Sequence, residues 1–218
     1  MKQLFLQQKQ HRRLILFFSG WGMDEHLLSS VTFPSCDVMY CCDYRNLDFD
    51  ETLVRPYSEI KVIAWSLGVW VASVILSRHQ LPVTHSVAIN GTMHPIDEHR
   101  GIPLPIFQGT IDHMDERGLY KFQRRMCSGP EQYQHFLAHA STRPVEELKE
   151  ELQNIQEAIL SENYTVAWNW EKAYIGRDDR IFTNVNQLQA WPHQTSLITL
   201  EEGHYCSSLF TQLLETDE

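Results

Sequence analysis

Glu59-Ile60-Lys61-Val62-Ile63-Ala64-Trp65-Ser66-Leu67-Gly68 is the stretch that decides the fold. Residues 59–65 form a mostly apolar run of strand length, rich in β-branched side chains. Beyond Ser66, the residues Trp70, Val71, Val74 and Ile75 recur at helical spacing, which predicts a helix over 69–78 packed on both sides. Ser66 therefore sits on a sharp turn from strand to helix. Such a turn brings two backbones almost into contact, so small residues are needed two positions to either side. Gly68 meets that need, and Ala64 adds only one methyl group. The turn lifts the Ser66 hydroxyl above the carboxyl edge of a sheet and points a helix N-terminus at it.

Upstream, 4–6 and 13–18 are expected strands, the second an apolar run suited to a sheet covered on both faces. It leads into Ser19-Gly20-Trp21-Gly22, a tight glycine turn, and 37–40 is a third strand. Downstream, 85–89 is a fifth strand that stops at Asn90-Gly91. From Thr92 the pattern changes to a proline- and histidine-rich stretch, followed by helical segments at 117–126, 131–139 and 144–160. Strands return at 168–175 and 196–200, with helices at 184–191 and 205–214. Strands alternating with helices predict an α/β fold with a mainly parallel sheet. The whole chain, 1–218, is expected to be one domain, with 1–91 and 165–218 as core and 92–164 as a helical lid insertion.

A chain of 218 residues with 43% apolar and 21% charged residues is globular rather than disordered. Its net charge of −10 repels nucleic acid and anionic lipid on average. The apolar run 14–18 is too short for a membrane span or a secretory leader, which predicts a cytoplasmic protein. Five cysteines, none in C-x-x-C spacing, argue for reduced thiols rather than a disulfide framework or a zinc ribbon. His135 and His139 are spaced for one helix face but lack the adjacent glutamate of a zinc protease, so no metal or cofactor is expected.

A serine nucleophile needs an oxyanion site, a base and a group to orient the base. Backbone N–H groups of Leu67, directly after the serine, and of Trp21, in the glycine turn after an upstream strand, are the expected oxyanion donors. In hydrolases of this order the base comes last. Of 11 histidines, His204 in Glu201-Glu202-Gly203-His204 lies between the last expected strand and helix, where site residues belong. The acid is one of two neighbours, Asp178 or Asp179, after the strand ending near Ile175. Spacing favours Asp179.

Taken together, S-G-W-G, A-W-S-L-G-V-W-V-A, A-I-N-G-T-M-H-P-I-D-E-H-R-G-I-P, G-R-D-D-R-I-F and E-E-G-H resemble the BioG-type pimeloyl-[acyl-carrier protein] methyl ester esterases. These are compact α/β-hydrolases, and the likeness runs from about Leu14 to Leu209. Ala64 and Ser19 depart from the better-known relatives, which carry glycine and histidine there. The resemblance implies a serine carboxylesterase that releases methanol from the carrier-bound methyl ester in biotin synthesis. It implies Ser66 as nucleophile, Asp179 as orienting acid and His204 as base, with Trp21 and Leu67 at the ester oxygen. Phe122 and Met126 would line the acyl channel. An acidic carrier protein would need a basic surface on this acidic chain. Arg117, Lys121, Arg124 and Arg125 fall on one helical face and are the expected docking residues. The rival readings are an esterase or thioesterase acting on free esters or CoA thioesters, and a binding module without chemistry.

Overall fold

The computed structural model describes residues 1–33, 36–161 and 163–215. Among them are strands β1 (Lys2–Gln7), β2 (Arg13–Phe18), β3 (Asp37–Cys42), β4 (Glu59–Trp65), β5 (Val83–Ile89), β6 (Lys172–Gly176) and β7 (Ser196–Leu200). They form one sheet in the order β1-β3-β2-β4-β5-β6-β7. All neighbours pair in parallel except β1 with β3. The expected mainly parallel α/β fold is therefore borne out. β2 and β3 are buried along nearly their whole length, as strands covered on both faces must be.

Helix α1 (Leu67–Arg78) follows β4 without a break, and its residues 67 to 76 are all buried. Helices α2 (Leu104–Asp112), α3 (Glu116–Met126), α4 (Pro130–Ala138) and α5 (Val145–Leu160) form one run between β5 and β6. Helices α6 (Asn184–Ala190) and α7 (Ser207–Glu215) precede and follow β7.

Two expectations are corrected. The proline-rich stretch after Thr92 contains α2, because Pro103 caps the helix and Pro105 sits in its first turn, where no backbone donor is lost. The strand expected over 168–175 starts only at Lys172. The preceding residues cross the back of α1 instead. There Trp170 Nε1 donates to Ser73 Oγ at 2.9 Å and Ala167 N donates to Ser77 Oγ at 2.9 Å. Aromatic residues that favour a strand by propensity are used here as anchors. No helix among the described residues is long and apolar enough to cross a membrane.

Candidate active site

The site is built on the carboxyl ends of β2, β4, β6 and β7. Ser66 takes φ 60°, ψ −131°, a left-handed backbone that is costly for a residue with a side chain. The surroundings enforce it: Ser66 N donates to Ile89 O at 2.9 Å. A Cβ on Gly68 would lie 2.3 Å from Ser19 O and 2.6 Å from Phe18 O, so the elbow is pressed against the end of β2. That contact explains the glycine in physical terms. Gly22 takes φ 75° and completes the turn after β2.

His204 Nε2 lies 2.9 Å from Ser66 Oγ, and His204 Nδ1 lies 2.9 Å from Asp179 Oδ2. Since a carboxylate only accepts, Nδ1 carries the proton and Nε2 is free to accept from the serine hydroxyl. The three residues are almost wholly withdrawn from solvent, with exposures of 6% for Ser66, 1% for His204 and 5% for Asp179. Asp179 is itself anchored: its Oδ1 accepts from Ile181 N at 2.7 Å and Phe182 N at 3.0 Å. Its Oδ2 also accepts from Gln187 Nε2 at 3.0 Å, a buried partner that sequence reasoning missed. Asp178 is exposed, and its backbone N–H donates to Glu202 O at 3.1 Å. Between the two neighbouring aspartates, the structure brings Asp179 to the histidine.

Trp21 and Leu67 are buried beside Ser66, and neither backbone N–H donates a hydrogen bond among the described residues. Buried orphan N–H groups are rare, and two beside one hydroxyl form a ready anion site. Ser66 lines a cavity that is open to solvent. Its walls are largely apolar: Trp21, Leu67, Ile102, Phe107, Phe122, Met126, Leu152, Ile181 and Phe182. Phe122 packs edge-on against Trp21, with ring centres 5.0 Å apart. Both residues expected at the acyl channel are thus on the wall. Phe107 on α2 and Leu152 on α5 complete the wall, and nothing in the sequence singled out either.

Arg125 also lines this cavity, and its guanidinium lies 5.8 Å from the centre of the Phe122 ring. Partial loss of solvent where it borders the cavity lowers its pKa below the ordinary value, against the opposing pull of Asp179. Helix α3 is therefore a wall of the site, and Arg125, expected among the docking residues, also borders the cavity. Arg117, Lys121, Arg124 and Arg125 are all exposed, with Arg124 stacked 5.1 Å from the Tyr133 ring centre. His135 and His139 stack on each other, with ring centres 4.6 Å apart, and His135 Nδ1 lies 3.2 Å from the Tyr205 hydroxyl. No group of three potential metal ligands occurs among the described residues. Cys206 is fully buried, and burial pushes its thiol well above the ordinary range, which makes it a poor nucleophile.

The family model described as pimeloyl-ACP methyl esterase BioG matches residues 1–216. The chain belongs to the BioG family. A crystal structure of BioG from Haemophilus influenzae superposes with a TM-score of 0.88 at 33% identity, covering 99% of this chain and 100% of that one. An uncharacterized Haemophilus influenzae protein is 36% identical over 93% of each chain. A malonyl-[acyl-carrier protein] O-methyltransferase from Bacteroides fragilis is 47% identical over 93% of this chain, which spans only 41% of that relative's length. An esterase from Exiguobacterium antarcticum shares the α/β-hydrolase fold, with a TM-score of 0.68 at 13% identity over 98% of this chain and 92% of its own. This BioG-family chain thus has the fold of the hydrolases. The expected α/β-hydrolase class is borne out.

Proposed function

We propose that this BioG-family chain is a serine carboxylesterase that cleaves the methyl ester of a pimeloyl group carried on acyl-carrier protein, in biotin synthesis. The observation that carries the reading is the continuous hydrogen-bonded line from Ser66 through His204 to Asp179, with Ser66 and His204 lining a largely apolar cavity. An unbranched acyl chain suits walls made of aromatic and aliphatic side chains. The family's description names a pimeloyl-ACP methyl esterase, and the Bacteroides relative is named for methylating a carrier-bound malonyl group. The first name gives a carrier-bound methyl ester as substrate, and the second a reaction that makes one.

In the reaction, Ser66 Oγ attacks the ester carbonyl while His204 Nε2 takes its proton. The tetrahedral oxyanion accepts from Trp21 N–H and Leu67 N–H. Collapse expels methanol, which leaves with the proton from His204. A water then gives its proton to His204 and attacks the acyl-enzyme carbonyl; as the bond to Ser66 Oγ breaks, His204 returns the proton to that oxygen and the free acid leaves as its carboxylate. Asp179 holds the imidazole in the required tautomer and stabilises its charged form.

Helices α2 to α5 act as a lid, and the exposed cations Arg117, Lys121 and Arg124 on α3 meet the acidic carrier protein. Arg125 stands where the acyl arm enters. The test is mass detection on purified pimeloyl-carrier protein methyl ester: the expected change is the loss of one methylene mass per molecule. Equal turnover of free methyl esters or CoA thioesters would favour the broader esterase reading. Absence of labelling by a fluorophosphonate would favour a binding module.

A further inference from the structure

Two distant parts of the chain converge on one main-chain oxygen, that of His204. Trp65 Nε1 donates to it at 2.9 Å and Asn90 Nδ2 donates to it at 3.0 Å. A carbonyl oxygen has two lone pairs, so this one is fully used. The same Asn90 nitrogen also reaches Gly203 O at 2.9 Å. Its oxygen, Oδ1, accepts from Gly176 N at 2.7 Å, at the start of the turn that carries Asp179.

One amide therefore grips the base loop with its nitrogen and the acid turn with its oxygen. Asn90 is 1% exposed and takes φ 44°, a left-handed conformation in which asparagine is better tolerated than most residues. Its own N–H donates to Tyr174 O at 3.0 Å, which fixes it to β6. The next residue, Gly91, lies so close to the elbow that a Cβ there would be 2.2 Å from Ser66 O. The nucleophile turn, the acid turn and the base loop are thus joined at the end of β5.

We propose that Asn90 and Trp65 are positioning residues that hold the His204 backbone where its ring can span Ser66 and Asp179. This rests on the proposed roles of Ser66, His204 and Asp179. The His204 ring is held by two side-chain hydrogen bonds, but a ring can meet both partners only if its backbone stays in place. The segment after β7 has no regular structure of its own to keep it there. Small displacements at a reacting centre are costly, on the order of 100-fold in rate for about 1 Å. A buried asparagine is a poor glycosylation site, so the N-G-T sequence at Asn90 is explained by this role and not by modification.

The test uses the full chain with Trp65→Phe, which keeps a ring but removes the donor, and Asn90→Asp, which keeps size and turns a donor toward two carbonyls into an acceptor. Measured are kcat and KM on a short free ester, thermal unfolding, and the far-downfield proton resonance of the His204 Nδ1–H. Each single change is expected to lower kcat about tenfold and the pair on the order of 100-fold, with KM changed less than about twofold. The downfield resonance should shift or broaden in step with kcat. If Asn90→Asp does not fold, Trp65→Phe alone decides through the same readouts. Wild-type kcat with an unchanged resonance in folded Trp65→Phe, alongside an inactive Ser66→Ala, would overturn this inference and leave the esterase reading intact. Full activity of Ser66→Ala would instead remove the reading on which it rests.

Discussion

The indole Nε1 of Trp21 donates to the main-chain oxygen of Leu148 at 2.7 Å, fastening the turn after β2 to helix α5. The Leu148 side chain completes the contact, 3.7 Å from where a Cβ on Gly22 would stand. The backbone N–H expected to meet the ester oxygen is therefore set by a helix 127 residues further along the chain. Trp21→Phe keeps the ring and deletes the bond. It should cost about 1 kcal/mol of stability and lower kcat severalfold with little change in KM. Thermal unfolding and initial rates on one free ester would check both halves.

Removing the reacting groups should be far more severe. Ser66→Ala and His204→Ala should each cut esterase turnover by several orders of magnitude, because the members act as one unit. Asp179→Asn should cost less than Ser66→Ala, and Asp178→Asn should be nearly silent, since that side chain is exposed. A damaging Asp178→Asn would contradict the geometry.

Charge reversal on α3 separates docking from wall effects. Arg117→Glu with Lys121→Glu should raise KM for the carrier-bound ester and leave a small free ester alone. The wild-type preference for the carrier-bound ester should shrink with added salt, since the Debye length is about 8 Å at physiological ionic strength. Arg125→Glu should impair both substrates, because Arg125 lines the cavity. Comparing kcat/KM on the two esters across the variants decides it.

Two buried carboxylates predict the acid limit of stability. Asp37 accepts from Lys9 N at 2.8 Å, His11 Nδ1 at 2.8 Å and Tyr57 Oη at 2.7 Å. Asp24 accepts from Thr142 N at 2.9 Å and Ser141 Oγ at 3.0 Å. Burial alone would raise both, but these hydrogen bonds together outweigh it and hold both below their ordinary 3.8. Below 3.8 the unfolded chain binds more protons than the folded one. The contribution of these groups is therefore intact above that pH and lost as the pH falls through the lower folded values. Urea midpoints should fall steeply in that window, and Asp37→Asn should flatten the fall.

Arg143 Nη1 meets Glu151 Oε2 at 2.6 Å, and Glu151 Oε1 accepts from Tyr44 N at 3.0 Å. The Glu151 side chain is fully buried. Arg143→Met should cost about 3–5 kcal/mol by stranding that carboxylate. Adding Glu151→Gln should recover much of the loss. Denaturant unfolding of the two variants and their combination checks it.

The residues around Ser66 made the elbow legible, because its demands are local. A strand period, a helix period and a glycine two positions on are forced by backbones that nearly touch, as Gly68 does with Ser19 and Phe18. The place of His204, after the last strand, followed from chain order alone. Strand and helix ends were less legible where tertiary contacts override propensity, as at Trp170 on Ser73 and at the proline-capped α2. Spacing favoured Asp179 over Asp178 as the partner of His204, and the fold decided it, since a tight turn sends adjacent side chains in different directions. Gln187 on Asp179 and Trp65 and Asn90 on His204 were not marked by spacing at all, and Arg125 was marked for docking but not for the cavity. Hydrogen bonds between residues 86 or 139 positions apart exist only once the sheet has brought their strand ends to one edge. Local sequence fixes the shape of a turn, whereas directional partners across the chain are assigned by packing.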